Sequence, residues 1–294
     1  MENLLIILFL AVTGVQLGSF AGASVWRLRA RQLAEDKADG EAYDKKEYNH
    51  LKKLLGVKTT NDRSRCLHCD HQLAWYDLIP IFSWLQLAGK CRYCKKPIGS
   101  FELFIEIGVA VLFVLSYIFW PVELQSATSI AKFVLWLIAS TGLVILFVYD
   151  AKWFLLPNQV MFPVIALAAL SALIGLATSG DVVSSALSTL GSVAALSGLY
   201  YVLYVLSKGA WIGFGDIKLG LALGLLLADW RLGLLTLFLA NVIGCLVVLP
   251  AMMAKKISRT SHVPFGPMLI TAFFITSLFG MQILTWYLGG LLSI

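Results

Sequence analysis

Charge is scarce in this sequence and unevenly spread. Only 14% of the 294 residues are Asp, Glu, Lys or Arg, while 59% are hydrophobic. That is more apolar than a soluble domain usually is, and it implies a membrane setting. Of the 23 Lys and Arg, 15 fall between Arg27 and Lys96, together with 9 of the 17 acids. The basic excess is therefore one polar segment, which speaks for orientation in a lipid bilayer and against nucleic acid as a partner. The start, "MENLLIILFLAVTGVQLGSFAGASVW", lacks the basic head of a secretory signal, and its apolar run continues to Trp26. It is a retained span. No internal repeat is evident.

What the sequence has in plenty is apolar runs of spanning length. They lie at about 3–26, 101–120, 130–149, 159–178, 184–206, 217–229, 232–254 and 267–290. The expected fold is an all-α polytopic membrane protein of about eight transmembrane helices with a cytoplasmic zinc-knuckle loop. The sixth run is short, so it is tilted or a broken helix buried beside a cavity. The expected divisions are a first transmembrane helix at 1–26, a basic loop at 27–100 and a transmembrane domain at 101–294. With the N-terminus outside, the inner segments are 27–100, 150–158, 207–216 and 255–266, carrying Lys152, Lys208, Lys255, Lys256 and Arg259 besides the basic loop. The outer loops near Pro121, Asp181 and Arg231 hold almost no positive charge, as the positive-inside rule requires. Residues 30–62 alternate acids and bases around Leu51, Leu54, Leu55 and Val57. They read as a solvated insertion, part helix and part flexible, with no functional signal.

Five cysteines are present, and four come as "CLHC" (Cys66, Cys69) and "CRYC" (Cys91, Cys94). Two residues between cysteines let one tight turn offer both sulfurs to a single ion. The pair of turns thus matches a structural four-thiolate zinc site. Disulfides fit poorly with a basic cytosolic loop, and a redox dithiol would rarely come as a matched pair. His68 and His71 are loop residues, since four thiolates leave no coordination place for them. Cys245, inside a span, is packing.

Two acids stand out from the rest. Asp150 ends the third span in "YDAKWFLLPN", and Asp216 opens the sixth in "GFGDIKL". Both fall at the same inner boundary, and each is followed two residues on by a lysine, Lys152 or Lys218. Two carboxylates held close cannot both ionise, so the pair shares a proton and offers an acid and a base together. Gly213 and Gly215 would give close backbone approach and freedom at φ. The alternative is that each acid merely ends or caps a helix, Asp216 as an N-cap, with its lysine reaching toward lipid phosphate.

These motifs, in this order, resemble the type IV prepilin leader peptidase family of bacterial membrane aspartic peptidases. The likeness runs through "GSFAGASVWRL", the paired cysteines around "WYDLIPIFSWLQLAGKCRYCKKPI", the D-x-K…LPN stretch, the G-x-G-D turn and "PFGP" at Pro264 to Pro267. It covers nearly the whole chain except 30–62. The resemblance implies that Asp150 and Asp216 are the catalytic pair. It also implies cleavage of a short basic leader at the cytoplasmic face of the bacterial inner membrane, with prepilins or pseudopilins as substrates. Lys152, Lys218 and Glu106 are accessory candidates, Glu106 because it matches the family glutamate. Many members also methylate the new N-terminus with S-adenosylmethionine, an activity associated with the cysteine-bearing loop. In this chain Gly22, Arg29, Phe101 and Glu102 depart from the family's usual residues there, and the polar loop shows no glycine-rich nucleotide fingerprint. Two rival readings remain open. One is a protease of the presenilin or signal-peptide-peptidase type, which shares the Y-D and G-x-G-D motifs but not the cysteines. The other is a zinc-bearing membrane scaffold without activity.

Overall fold

A computed structural model of the chain describes residues 2–55, 64–255 and 263–292. Among the described residues there is no β-strand, only two isolated bridges. Among the described residues, seven helices are long and apolar enough to cross a membrane. The chain divides into two compact units, Met1–Ile118 and Phe119–Ile294.

The first unit is built on α1 (Glu2–Ala38), which runs without a break well past Trp26. Short α2 (Lys45–Leu51) is capped by Asp44, whose carboxylate accepts from the N–H groups of Lys46 and Glu47; α3 (Phe82–Gln86) follows, then the spanning α4 (Phe101–Ile118). Helices α1 and α4 meet along a glycine ladder with a four-residue step. A Cβ at Gly14 would lie 2.6 Å from Ala110 Cα, and one at Gly18 would lie 2.6 Å from Glu106 Cα. Glycine lets the two backbones touch where lipid supplies no hydrophobic force between helices. The GSF segment of the sequence is therefore a packing seam.

The insertion at 30–62 is more ordered than its charge pattern implies. Leu51 is buried with Ala30 and Leu33, and Leu54 and Leu55 pack against the same small core with Trp26, Tyr43 and Tyr48. The leucines close α2 onto the polar end of α1. Residues 56–63, with Val57, lie outside the described residues, as do Lys256 and Arg259.

The second unit is a bundle of α5 (Ala127–Trp153), whose face from Phe133 to Asp150 is largely buried, with α6 (Asn158–Ala177), α7 (Val182–Val193), α8 (Leu199–Ser207), α9 (Phe214–Leu227), α10 (Trp230–Met253) and α11 (Gly266–Leu292). Helix α5 packs against α6 and α11, and α9 packs against α6, α7, α8, α10 and α11. A π-helical turn, Ala194–Gly198, joins α7 to α8, so that 182–207 forms one span. The expected sixth span is α9, and it has 14 residues. That is about 21 Å of helix, short of a hydrocarbon core of about 30 Å. It can be short because protein surrounds it: Ile217, Leu219, Gly220, Ala222, Leu223 and Gly224 are buried. Its glycines let the π turn close in, since a Cβ at Gly220 would meet the Leu196 carbonyl oxygen. Asp181 and Asp229 are the N-caps of α7 and α10. Their role is local.

Candidate active site

Asp150 lies in the last turn of α5 and is 6% exposed. The helix stops just after it because Phe154 turns left-handed at φ 57° and donates its N–H to the Asp150 carbonyl. The Asp150 carboxylate accepts the Gly266 N–H at 3.0 Å. Gly266 is the first residue of α11, so a carboxylate from one helix satisfies the start of another, where the helix dipole favours negative charge. Only glycine fits there: a Cβ at 266 would stand 2.6 Å from Asp150 Oδ2. Pro267, which has no N–H to satisfy, comes next. The sequence shows PFGP as a motif; the role of its glycine emerges only from the fold.

Asp216 lies in the first turn of α9, half-buried. The helix cap is Gly213, not Asp216: the Asp216 N–H donates to the Gly213 carbonyl at 3.1 Å, while the Gly213 N–H bonds the Asp216 carboxylate. Gly213 has φ −76° and Gly215 is helical, so neither glycine is needed for left-handed backbone. They serve close approach instead. A Cβ at Gly215 would come within 3.1 Å of Leu156, in the LPN stretch after Asp150. The fold thereby brings Asp216 near enough to Asp150 for their charges to act on each other.

The two lysines turn away from the pair. Lys218 Nζ donates to Asn158 Oδ1 at 2.7 Å, tying α9 to the start of α6, and sits over the rings of Phe162 and Phe214. Lys152 lies over the Trp153 ring. Glu106 is buried in the first unit, where it accepts the Ile81 N–H at 2.8 Å and bonds Ser19 of the GSF segment. It holds the loop before α3 onto the α1–α4 seam.

The four cysteines converge, their sulfurs all lying within 4.8 Å of one another. Each knuckle is the same hairpin. Cys66 N–H donates to the His71 carbonyl and Asp70 N–H to the Cys66 carbonyl; Cys91 N–H donates to the Lys96 carbonyl and Lys95 N–H to the Cys91 carbonyl. Asp70 and Lys95 both turn left-handed. The structure thus contains a short repeat, too brief for periodicity in the sequence to reveal. Cys66 and Cys94 sulfurs lie 3.9 Å apart, and a tetrahedral site with metal–sulfur bonds of about 2.3 Å needs about 3.8 Å. The His71 N–H favours a Cys69 thiolate, but burial and the neighbouring sulfurs of Cys66 and Cys94 outweigh it and push that thiol up to about 11. A cation among the sulfurs reverses that balance. These residues could hold a metal ion.

Above the knuckles the first unit encloses a cavity of about 390 Å³, lined by Trp26, Arg27, His50, Asp77, Glu102 and Glu106 among others. Trp26 Nε1 donates to one Glu102 oxygen at 3.0 Å, and the other oxygen is buried with no hydrogen-bond partner among the described residues. Gly22 faces Glu102 across the α1–α4 seam.

Two carboxylates at helix ends, one of them bonded to a glycine-opened helix, are the groups that acid–base hydrolysis of a peptide bond needs. Comparison narrows the class. Residues 12–120 match the bacterial Peptidase A24 N-terminal domain and 136–249 the type IV leader peptidase family. The prepilin leader peptidase/N-methyltransferase of Aeromonas hydrophila is 29% identical over 95% of this chain and 92% of its own length. The enzyme of the same description from Dichelobacter nodosus is 30% identical over 75% of this chain and 72% of its own. A type 4 prepilin-like proteins leader peptide-processing enzyme of Escherichia coli O78:H11 is 30% identical over 88% of each chain. No solved structure matches. The chain belongs to the type IV leader peptidase family.

Proposed function

We propose that this chain is a membrane aspartic endopeptidase that removes the leader of type IV prepilins or prepilin-like proteins. The observation that carries the reading is the approach of Asp150 and Asp216 from the ends of α5 and α9. The ionised member takes a proton from water, whose oxygen adds to the peptide carbonyl carbon. The protonated member gives its proton to the carbonyl oxygen. The C–N bond then breaks as the nitrogen takes a proton. The substrate must arrive extended, because a helical peptide hides its carbonyls in its own hydrogen bonds, and a glycine at the cut point eases unwinding.

Asp150→Asn and Asp216→Asn should each lower cleavage of a co-expressed prepilin by about 10³-fold or more, with the protein still folded and inserted. Wild-type maturation by either variant rejects the dyad and leaves the scaffold reading standing. The match to the leader peptidase family favours this reading over a presenilin-type protease.

The active site faces the cytoplasm in this proposal, as the basic residues of 27–100 support. A single cysteine placed near Glu41 should then resist labelling from outside intact cells. Efficient labelling there would invert the topology.

A second activity has its own support. The cavity in the first unit, with an unpartnered Glu102 oxygen, fits a cationic ligand, and a sulfonium methyl donor or a new terminal ammonium is one. Trp26, Glu102 and Glu106 would hold S-adenosylmethionine there, and the donor would supply the methyl group for the freed N-terminus. Direct binding of S-adenosylmethionine by wild type, lost in Glu102→Gln, tests this apart from cleavage. The four cysteines hold zinc in this reading, as a structural ion: four thiolates close its coordination and leave no place for substrate.

A further inference from the structure

We propose that Tyr200 is a third catalytic group beside Asp150 and Asp216, its hydroxyl donating a hydrogen bond to the carbonyl oxygen of the peptide bond being cut. The inference rests on the aspartic reading above. Tyr200 begins α8 and is 4% exposed, and its hydroxyl oxygen is buried with no hydrogen-bond partner among the described residues. One turn further along α8, Tyr204 meets Phe214, two residues before Asp216, with ring centroids 5.8 Å apart. The Tyr200 ring meets Phe265 edge-on, with centroids 5.6 Å apart at 81°. Phe265 is the residue before Gly266, whose N–H holds Asp150. Tyr200 therefore stands by both halves of the pair.

The backbone around it is arranged for this. The π turn Ala194–Gly198 comes immediately before α8. One extra residue in a helical turn rotates the rest of the helix by about 100°, so that turn sets the face of α8 on which Tyr200 lies. Ser197 in the turn donates to the Ile217 carbonyl at 2.9 Å, fixing α8 against the peptide next to Asp216. The buried hydroxyls of Ser140, Ser192, Thr236 and Thr276 also lack a partner among the described residues. Those are short side chains that can turn to a carbonyl of their own helix. A tyrosine hydroxyl stands too far from its backbone to do so, and it needs an acceptor from elsewhere. The carbonyl oxygen of an extended peptide, gaining negative charge as water adds, is that acceptor. The hydroxyl keeps its proton and steadies the charge. Proton transfer stays with the two aspartates.

The test uses the full-length protein and a purified prepilin. Tyr200→Phe keeps the ring and its contact with Phe265 and removes only the hydroxyl. Its kcat should fall about 100-fold with KM unchanged. Phe265→Leu, which removes the ring contact and keeps the hydroxyl, should lose less. A wild-type kcat in Tyr200→Phe, a change in KM alone, or a larger loss in Phe265→Leu overturns the assignment and leaves the dyad intact. Normal cleavage by Asp216→Asn would instead remove the dyad, and the role of Tyr200 with it.

Discussion

The carboxylate of Asp77, in the loop between the cysteine knuckles, and that of Asp150, at the end of α5, are both nearly out of reach of solvent. They are treated in opposite ways. Asp77 accepts from Arg92 Nε at 2.7 Å, from the Tyr93 hydroxyl at 2.9 Å and from the Ala74 N–H at 3.2 Å. Asp150 accepts from one backbone N–H and faces a second acid instead of a base. A carboxylate whose two oxygens are both held by donors is fixed in one charge state and one place. One left short of donors can exchange a proton, as the proposed function requires of Asp150.

The comparison breaks most visibly at Gly266. Gly266→Ala places a methyl group against Asp150 Oδ2, so the carboxylate must move. A displacement near 1 Å costs on the order of 100-fold in rate. Prepilin cleavage should drop by about that factor while α11 still forms, because alanine is a good helix residue. Asp77→Asn should leave cleavage unchanged. Equal cleavage by wild type and Gly266→Ala would mean that the Asp150–Gly266 bond is structural.

Much of this site was legible in the residues. An acid at the mouth of an apolar run is costly, so Asp150 and Asp216 could be found from cost alone, and C-x-x-C twice over announces its geometry. Their shared inner boundary paired them, and the resemblance added the catalytic role. The features that escaped did so for physical reasons. Gly266 contributes a backbone N–H, which no side-chain chemistry advertises. Tyr200 looks like any aromatic residue in a span, and its hydroxyl matters only through a π turn that has no sequence signature. Alternating charge at 30–62 hid a small leucine core. Hydropathy showed the sixth run to be short but left open whether it is tilted or buried, and the fold shows α9 enclosed by neighbouring helices.

The cysteines sharpen the comparison on the structural side. Wild type should carry about one zinc ion per chain at metal–sulfur distances of about 2.3 Å, seen by X-ray absorption. Cys66→Ser should lose the ion and loosen the knuckles, since a structural metal contributes folding energy outright. Methylation should suffer more than cleavage. A wild-type protein with intact disulfides and no zinc would overturn the site.

The smallest expected effect concerns Asp77 itself. Burial alone would raise its carboxyl, but the Arg92 and Tyr93 hydrogen bonds, with the Ala74 N–H, hold it below the ordinary aspartate range. A carboxylate depressed on folding binds fewer protons folded than unfolded, so stability rises with pH through that window. Its contribution is fully present above the ordinary value of about 3.9 and is lost as pH falls through the lower folded value. Arg92 is partly open to water, which keeps the contribution near ~1 kcal/mol. The Ala74 amide reports it directly, since that N–H donates to Asp77. In Asp77→Asn at neutral pH its hydrogen exchange should quicken about five-fold. Acid also strips thiolate-bound metal, so the informative quantity is the ratio of variant to wild type at each pH. That ratio should begin to shrink below about pH 4 and approach one only below the lower folded value, where wild type has lost the same charge. A ratio that stays constant into acid would mean that Asp77 holds the knuckles by shape, with its charge irrelevant.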